Sequence, residues 1–355
     1  MKALHQNGQF SDEDLQLTKE SLEKLLLWYQ SAKRDLPWRK TKDPYSIWIS
    51  EIMLQQTRVE AVKEYYKRFL EALPTVSALA DASEEVVLKL WEGLGYYSRA
   101  RNLRKAAQQI MEEHQGEFPK EFEAIRKLSG IGEYTAGSIS SIAFDLPVPA
   151  VDGNVLRVMS RVLNDFSDIT ATKTKKNMTE LLRSVYPKTH CGDVTQSLME
   201  LGAMVCVPNG QPKCAECPLA NLCRAKREGT VDSLPVKTEK TKRKIQKKTV
   251  FLLQCEEEYA LRKRTEKGLL HGMWEFPNLD RKLSQTEVAS LFPAAISVKK
   301  IGFHRHIFTH IEWEMECFHI IVKEKNPDCI WETAQAIRQN YAVPTAFRPF
   351  CIWEK

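Results

Sequence analysis

The hydrophobic period changes once along the chain, near residue 245, and that change constrains the fold more than any single residue does. Before it, the 355-residue sequence reads as helix after helix. SLEKLLLWYQSAK, IWISEIMLQQ, VEAVKEYYKRFLEAL, EEVVLKLWEGL and SRARNLRKAAQQIMEEH all place apolar residues near a 3.6 period. Asp43-Pro44, Gly93 with Gly95, and Gly130 with Gly132 punctuate them. Beyond the change, TVFLLQC and YALRKR read as strands. In IEWEMECFHIIV, Ile311, Trp313, Met315 and Cys317 alternate with Glu312, Glu314 and Glu316, as in a half-buried strand. SQTEVASLF and WETAQAIRQN read as short helices. Between the two regimes, REGTVDSLPVKTEKTKRKIQKK is polar, basic and aperiodic, as a linker would be. The expected organisation is an all-helical domain over 1–226, a basic linker over 227–247 and a smaller α/β domain over 248–355.

Composition narrows the class. Charged residues at 28% and hydrophobic ones at 43% are ordinary for a soluble globular chain. A formal charge of +6 permits nucleic-acid binding without demanding it. Lys237, Lys240, Lys242, Arg243, Lys244, Lys247 and Lys248 crowd into one stretch, read as a solvated linker. The start, MKALHQNGQFSDEDLQ, has no apolar signal core, and no apolar run approaches the roughly 20 residues that span a bilayer. A cytoplasmic protein with reduced thiols is expected, so nine cysteines do not imply a disulfide framework. Cys191, Cys255, Cys317, Cys329 and Cys351 stand singly and read as small core residues.

The other four are bunched. Cys206, Cys214, Cys217 and Cys223 give C-x7-C-x2-C-x5-C within 18 residues. Zinc sites usually pair two short C-x2-C knuckles, whereas one short and two long spacings suit an iron–sulfur (4Fe-4S) cluster better.

Three further segments carry candidate chemistry. LSGIGEYTAGSISSIAF (128–144) reads as a helix end, a glycine turn and a new helix. Gly130 and Gly132 lack the Cβ atoms that would block a phosphate, and the second helix would offer its free N–H groups as an anion site. An ordinary turn between helices fits the local pattern as well. Glu51 sits among Ile47, Trp48, Ile49, Ile52, Met53 and Leu54. Desolvation there would raise its pKa and suit it to act as an acid, but pattern alone favours a wet face shared with Gln55 and Arg58. Asp152, in VPAVDGNVLRVMSRV, or Asn154 would cap a helix; amide donors and the helix dipole would then keep Asp152 ionised. One carboxyl tuned as an acid and one kept as an anion is the division of labour that glycosidic cleavage requires.

Taken together, these motifs resemble the MutY family of adenine DNA glycosylases, in the helix–hairpin–helix superfamily that includes endonuclease III. The resemblance is carried by LPWR (36–39), DPYSIWISEIMLQQTRV (43–59), WEGLGYYSRARNL (91–103), LSGIGEYTAGSI (128–139), VDGNVLRV (151–158), QSLMELGAMVC (196–206) and the four cysteines. It continues through GLLHGMWEFP (268–277), FTH (308–310) and VPTAFR (343–348). Ser129 stands where many members have proline, and the first cysteine gap is seven residues where six is usual.

The resemblance implies a mostly α-helical helix–hairpin–helix glycosylase domain with a cluster loop, then a smaller Nudix-like α/β domain. It implies removal of adenine mispaired with 8-oxoguanine or guanine in double-stranded DNA, by flipping the base into a pocket. By position, Glu51 would be the general acid and Asp152 the stabiliser of an oxocarbenium-like sugar, with Tyr134 and Asn154 supporting Asp152. Trp38, Arg39, Leu54 and Gln196 match the adenine pocket. Gln56 and Tyr96 match residues inserted beside the oxidised guanine, and Phe308, Thr309 and His310 the loop that contacts it. Cys206, Cys214, Cys217 and Cys223 would hold the cluster. GEYTAG has no lysine for Schiff-base chemistry, which argues against a bifunctional endonuclease III-like lyase on oxidised pyrimidines. No glutamate-rich Nudix box follows GMWEFPNLD, which argues against a nucleotide hydrolase. A monomer at the bacterial nucleoid, without membrane attachment, completes the expectation.

Overall fold

The structure, a computed structural model, describes residues 10–238, 243–266 and 268–354. Lys240 and Lys242 of the basic run lie outside the described residues. The chain divides into two compact units: the described residues of Met1–Ala80 with Lys105–Glu239, and those of Asp81–Arg104 with Lys240–Lys355. Compositional reading expected 81–104 in the helical domain; contacts group it with the later sheet instead. Helical period reports local structure, not which core a helix joins.

The helices of the first two-thirds are α1 (Asp12–Ala32), α2 (Pro44–Leu54), α3 (Val59–Ala72), α4 (Val76–Asp81), α5 (Glu84–Leu90), α6 (Ser98–Glu113), α7 (Phe122–Lys127), α8 (Glu133–Phe144), α9 (Gly153–Leu163), α10 (Thr172–Val185), α11 (Cys191–Met204) and the single turn α12 (Arg224–Arg227). Local chemistry sets their starts. Ser11 and Asp14 form a capping box on α1, Asp43 caps α2 ahead of Pro44, and Asp152 caps α9. The main helical core joins α1, α9, α10 and α11 through residues such as Leu25, Val158, Met178, Leu182 and Leu198. Each contributes about 2 kcal/mol by its burial.

Helices α2 and α8 are buried nearly all round: Tyr45 and Ile47–Met53 in α2, Thr135–Ile142 in α8. A helix without a wet face lies inside a domain. Small residues make this possible. A Cβ on Gly137 of α8 would stand 2.6 Å from the Pro149 carbonyl oxygen, and one on Gly202 of α11 would stand 2.7 Å from Asn154 Cβ. These two glycines let α8 and α11 close on the segment that leads into α9, where Asp152 sits. No helix among the described residues is long and apolar enough to cross a membrane.

The second unit holds a seven-stranded sheet: β1 (Lys244–Cys255), β2 (Glu258–Lys263), β3 (Trp274–Glu275), β4 (Asn278–Leu279), β5 (Ser297–Ile307), β6 (Ile311–Ile321) and β7 (Ile330–Thr333). The main order is β3-β2-β1-β6-β5, with β4 on β1 and β7 on β2. The β1–β6 pair is parallel and β5–β6 is an antiparallel hairpin. Helices α13 (Gln285–Leu291) and α14 (Ala334–Asn340) match the two expected from sequence. Along β6, Trp313, Met315 and Cys317 are buried, as their alternation predicts, but Ile311 is only half-buried and Glu316, paired with Lys282 and Lys300, is buried as well.

Two readings of the basic stretch are corrected. Lys244–Lys247 already belong to β1, paired with Ile311–Glu314, so the strand begins inside the expected linker. Lys248 is only 3% exposed. Its ammonium bonds Asp280 and Asn278 and lies 4.4 Å over the Trp313 ring, partners that compensate a lysine its sequence neighbours made look solvated. The linker's first half is also packed: Leu234 is buried, and Arg161 Nε donates to the Val231 and Leu234 carbonyls.

Candidate active site

Two buried carboxyls of the helical unit lie within electrostatic reach of each other. Glu51, on α2, is 6% exposed, so the wet-face reading that local pattern favours does not hold. Tyr134, in the first turn of α8, donates its hydroxyl to Glu51 Oε2 at 2.9 Å. Burial pushes the Glu51 carboxyl above the ordinary glutamate value; the Tyr134 and Ser138 hydroxyls oppose that rise, nearby Asp152 adds to it, and Arg39 opposes it. Burial, with Glu51 and Asp152 adding to it, drives the Tyr134 hydroxyl well up, so it stays a proton donor. The sequence resemblance had paired Tyr134 with Asp152; in the structure its hydrogen bond goes to Glu51.

Asp152 Oδ1 accepts the Asn154 and Val155 backbone N–H groups at 2.9 and 2.8 Å, and Oδ2 accepts Asn154 Nδ2 at 2.7 Å. Sequence reasoning expected these cap donors to dominate. Burial outweighs them, and the carboxyl lies above the ordinary aspartate value despite the amides and Arg157. The chain of contacts continues. Asn154 Oδ1 accepts from Arg157 Nη2 at 2.9 Å, and Arg157 also donates to the Gly202 and Cys206 carbonyls, both at 2.8 Å. Arg157 escaped the sequence reading because it looks like any polar residue of an amphipathic helix.

A cavity of about 380 Å³ is lined by Tyr29, Arg34, Arg39, Ile142, Asp193 and Gln196, among others. It brings Arg39 and Gln196 together. Trp38 and Leu54 are not part of its lining; Trp38 is buried edge-on against Tyr66, and Leu54 ends α2 half-buried.

The four bunched cysteines line one cavity with Arg161, Leu201 and Leu219. Burial pushes the Cys217 thiol up to about 11, and its three neighbouring thiols push it further in the same direction. Arg161 Nη1 lies 3.2 Å from Cys206 Sγ. Among the described residues, no group of three or more His, Cys, Asp or Glu side chains is placed to hold a metal ion. Four thiols lining one pocket are the kind of donor set that an iron–sulfur cluster takes.

The glycine turn between α7 and α8 has Gly130 at φ +75°, and no side chain caps the α8 N-terminus at Gly132, so its N–H groups remain available. Gln56 and Tyr96 both take the left-handed region, φ +58° and +48°, which non-glycine residues seldom adopt. In the second unit the Tyr96 loop is held from several sides. Trp91 Nε1 and Arg99 Nη2 both donate to the Gly95 carbonyl at 3.1 Å, and the Tyr96 hydroxyl lies 3.0 Å from Thr309 Oγ1. Phe308, Thr309 and His310 form the β5–β6 turn. Phe308 stacks edge-on against His306 and Trp313, while Thr309 and His310 are exposed.

Comparison with known proteins decides the family. Residues 49–186 match the HhH-GPD superfamily of base excision DNA repair proteins, and 249–352 match the NUDIX domain. The chain is 33% identical to the rat adenine DNA glycosylase, with 93% of this chain and 77% of that protein covered. The chain belongs to the adenine DNA glycosylases. The human enzyme is 33% identical over 85% of this chain and 67% of its own length. The Buchnera aphidicola (Schizaphis graminum) enzyme is 36% identical, with 81% and 83% covered. Among solved structures, a thermostable thymine-DNA glycosylase superposes with a TM-score of 0.54 at 28% identity, covering 61% of this chain and all of that one. A trapped endonuclease III–DNA covalent intermediate gives 0.52 at 24% identity, covering 61% and 98%, which shows the shared helical fold. The enzyme is thus a base-excision DNA glycosylase with a helix–hairpin–helix unit and a Nudix-like sheet unit.

Proposed function

We propose that the enzyme hydrolyses the N-glycosidic bond of adenine paired with 8-oxoguanine or guanine, with Glu51 as general acid and Asp152 as the anion facing the sugar. The observation that carries the reading is the buried pair itself: a desolvated Glu51 held by Tyr134, beside an Asp152 fixed by three donors. Adenine leaves poorly as an anion. A proton from Glu51 to a ring nitrogen lets the C1′–N9 electron pair depart with a neutral base. The carboxylate of Asp152 stabilises the positive charge left on the sugar, and water attacks C1′ once Glu51, now ionised, accepts its proton. Arg39 and Gln196 would border the flipped base. Tyr134 offers no amine, so strand cleavage is no part of the reaction. A glycosylase assay on duplexes carrying A opposite 8-oxoguanine, A opposite G, and thymine glycol tests this. Excision of adenine from the first two supports it; release of thymine glycol instead would overturn it.

Cys206, Cys214, Cys217 and Cys223 would hold a 4Fe-4S cluster, which when bound orders the 206–223 loop for contact with DNA phosphates. Purified enzyme should be yellow-brown and contain about four irons per chain. Stoichiometric zinc in protein expressed with ample iron would reject the assignment.

Recognition of the partner base falls to the β5–β6 turn. 8-Oxoguanine has an N7–H donor that guanine lacks, and the Thr309 hydroxyl, placed by Tyr96, can accept from it. Discrimination of roughly 1–3 kcal/mol per contact follows. Replacing Thr309 and His310 together by alanine should weaken the preference for A:8-oxoguanine over A:G while leaving A:G excision nearly unchanged. Equal loss on both mispairs in single-turnover assays would assign the turn a general role in folding or binding.

A further inference from the structure

Behind Arg39, which borders the cavity, lies a buried carboxylate that the reaction above does not use. Glu200 lies on α11 one turn after Gln196, with none of its side chain exposed. Its Oε1 accepts the Arg34 backbone N–H at 3.0 Å and Arg34 Nε at 2.7 Å. Its Oε2 accepts Arg34 Nη2 at 2.7 Å and Arg39 Nη2 at 2.6 Å. Arg39 Nη1 donates to the Arg34 carbonyl at 3.0 Å, and its guanidinium lies 5.5 Å over the Tyr29 ring. Burial would raise the Glu200 carboxyl, but hydrogen bonds from Arg34 and Arg39 hold it at about 2, so it is an anion at every working pH.

Packing alone does not call for this arrangement. A buried ion pair is seldom more stabilising than apolar residues of the same volume. Arg34 by itself would satisfy most of Glu200; the further bond to Arg39 fixes a second guanidinium of the cavity wall. A free arginine samples many rotamers, whereas this guanidinium is fixed by a carboxylate, a carbonyl and an aromatic face.

We propose that Glu200 is a positioning residue that holds the Arg39 guanidinium at the base pocket and offsets its charge beside Glu51. The proposal rests on the reading of that pocket and of Glu51 given above. The groups that act on the Glu51 carboxyl are Tyr134 and Ser138 from α8, Asp152 at the α9 cap, and Arg39 from the 3-10 turn Pro37–Arg39. Of these only Arg39 is cationic, and it favours the ionised form of Glu51. With a neutral residue at position 200 that cation is uncompensated, so Glu51 gives up its proton at lower pH. Since the acid must be protonated to act, the alkaline limb of the pH–rate profile moves to lower pH.

The test is a double-mutant cycle in single-turnover adenine excision, run across pH, on wild type, Glu200→Gln, Arg39→Ala and the double variant, with circular dichroism as the check on folding. Misplacing a pocket group by a fraction of an ångström to an ångström costs up to about 100-fold, and a slowing of about 10- to 100-fold is expected for Glu200→Gln. Its alkaline limb should shift down. In the Arg39→Ala background the same change should cost less than about twofold, because the residue it acts through is gone. Losses that multiply, with an unmoved limb, would overturn the proposal. If Glu200→Gln does not fold, the cycle is run with Glu200→Asp, which keeps the charge: a slowing that vanishes in the Arg39→Ala background supports positioning, and one that persists there overturns it. Excision by wild type that Glu51→Gln abolishes upholds the reading of the site whatever the cycle gives, so a multiplicative cycle then counts against Glu200 alone. Absence of adenine excision by wild type sinks both.

Discussion

Glu51→Gln should keep its fold and its affinity for mispaired duplex and lose adenine excision. Glutamine fills the same volume in α2, and its amide can still accept the Tyr134 hydroxyl that now meets Oε2 at 2.9 Å. What it cannot do is give a proton to the leaving base. Removal of a general acid costs about 10²–10⁴ in rate, and more where protonation is obligatory. At about 1.36 kcal/mol per decade this is roughly 3–5 kcal/mol of barrier, larger than the roughly 1 kcal/mol at stake in one altered hydrogen bond. The wild-type pH profile carries the same signature. Burial raises the Glu51 carboxyl above its ordinary value. The protonated, active form therefore persists further toward neutral pH than a solvated glutamate would, and the rate falls as pH rises through that elevated pKa. Single-turnover excision beside a binding assay decides the matter: near-normal excision by the variant at neutral pH would remove Glu51 from the mechanism.

How much of this was readable from sequence differs by level. Helical and strand periods are local, so the helices of the first unit and the alternation of β6 were legible. Burial of Glu51 was not. Its apolar neighbours allow a desolvated carboxyl, yet Gln55 and Arg58 nearby favour a wet face, and only the packing of α8 on α2 overturns that reading. Glu200 and Arg157 were invisible for a related reason. Each is one charged residue in an amphipathic helix, and what sets them apart is a partner far along the chain: Arg34 for Glu200, the Gly202 and Cys206 carbonyls for Arg157. The grouping of 81–104 with the sheet is also non-local. Glu85 pairs with Lys263, and Glu92 accepts the Val343 N–H at 3.0 Å. Lys248 shows the converse error, a residue that ends a basic, mostly exposed run but whose own partners, Asp280 and Trp313, are brought by the sheet.

Asp152→Asn separates the two jobs of the second carboxyl. As the cap of α9 it satisfies the Asn154 and Val155 amides through Oδ1. Asparagine caps a helix about as well as aspartate, so that job survives. The Oδ2 side fares worse, because an amide N–H₂ there would meet the Asn154 Nδ2 donor, whose own oxygen is committed to Arg157. One lost hydrogen bond costs about 1 kcal/mol, which thermal or denaturant melting should register as a small drop. The effect on excision should be far larger. Loss of a charge aimed at the developing transition-state charge costs about 10²–10³ in rate, and a full carboxylate against an oxocarbenium-like sugar belongs at the upper end. The residual activity should also titrate differently. With Asp152 as the anion, the wild-type acid limb should follow its ionisation; burial raises that carboxyl, so the rate should climb as pH rises through it. That limb should vanish in the variant. Asp152 also helps keep Glu51 protonated, so its neutralisation lets Glu51 ionise more readily and moves the alkaline limb to lower pH. A folded variant that excises adenine within about tenfold of wild type, with both limbs in place, would show that the anion facing the sugar is not Asp152.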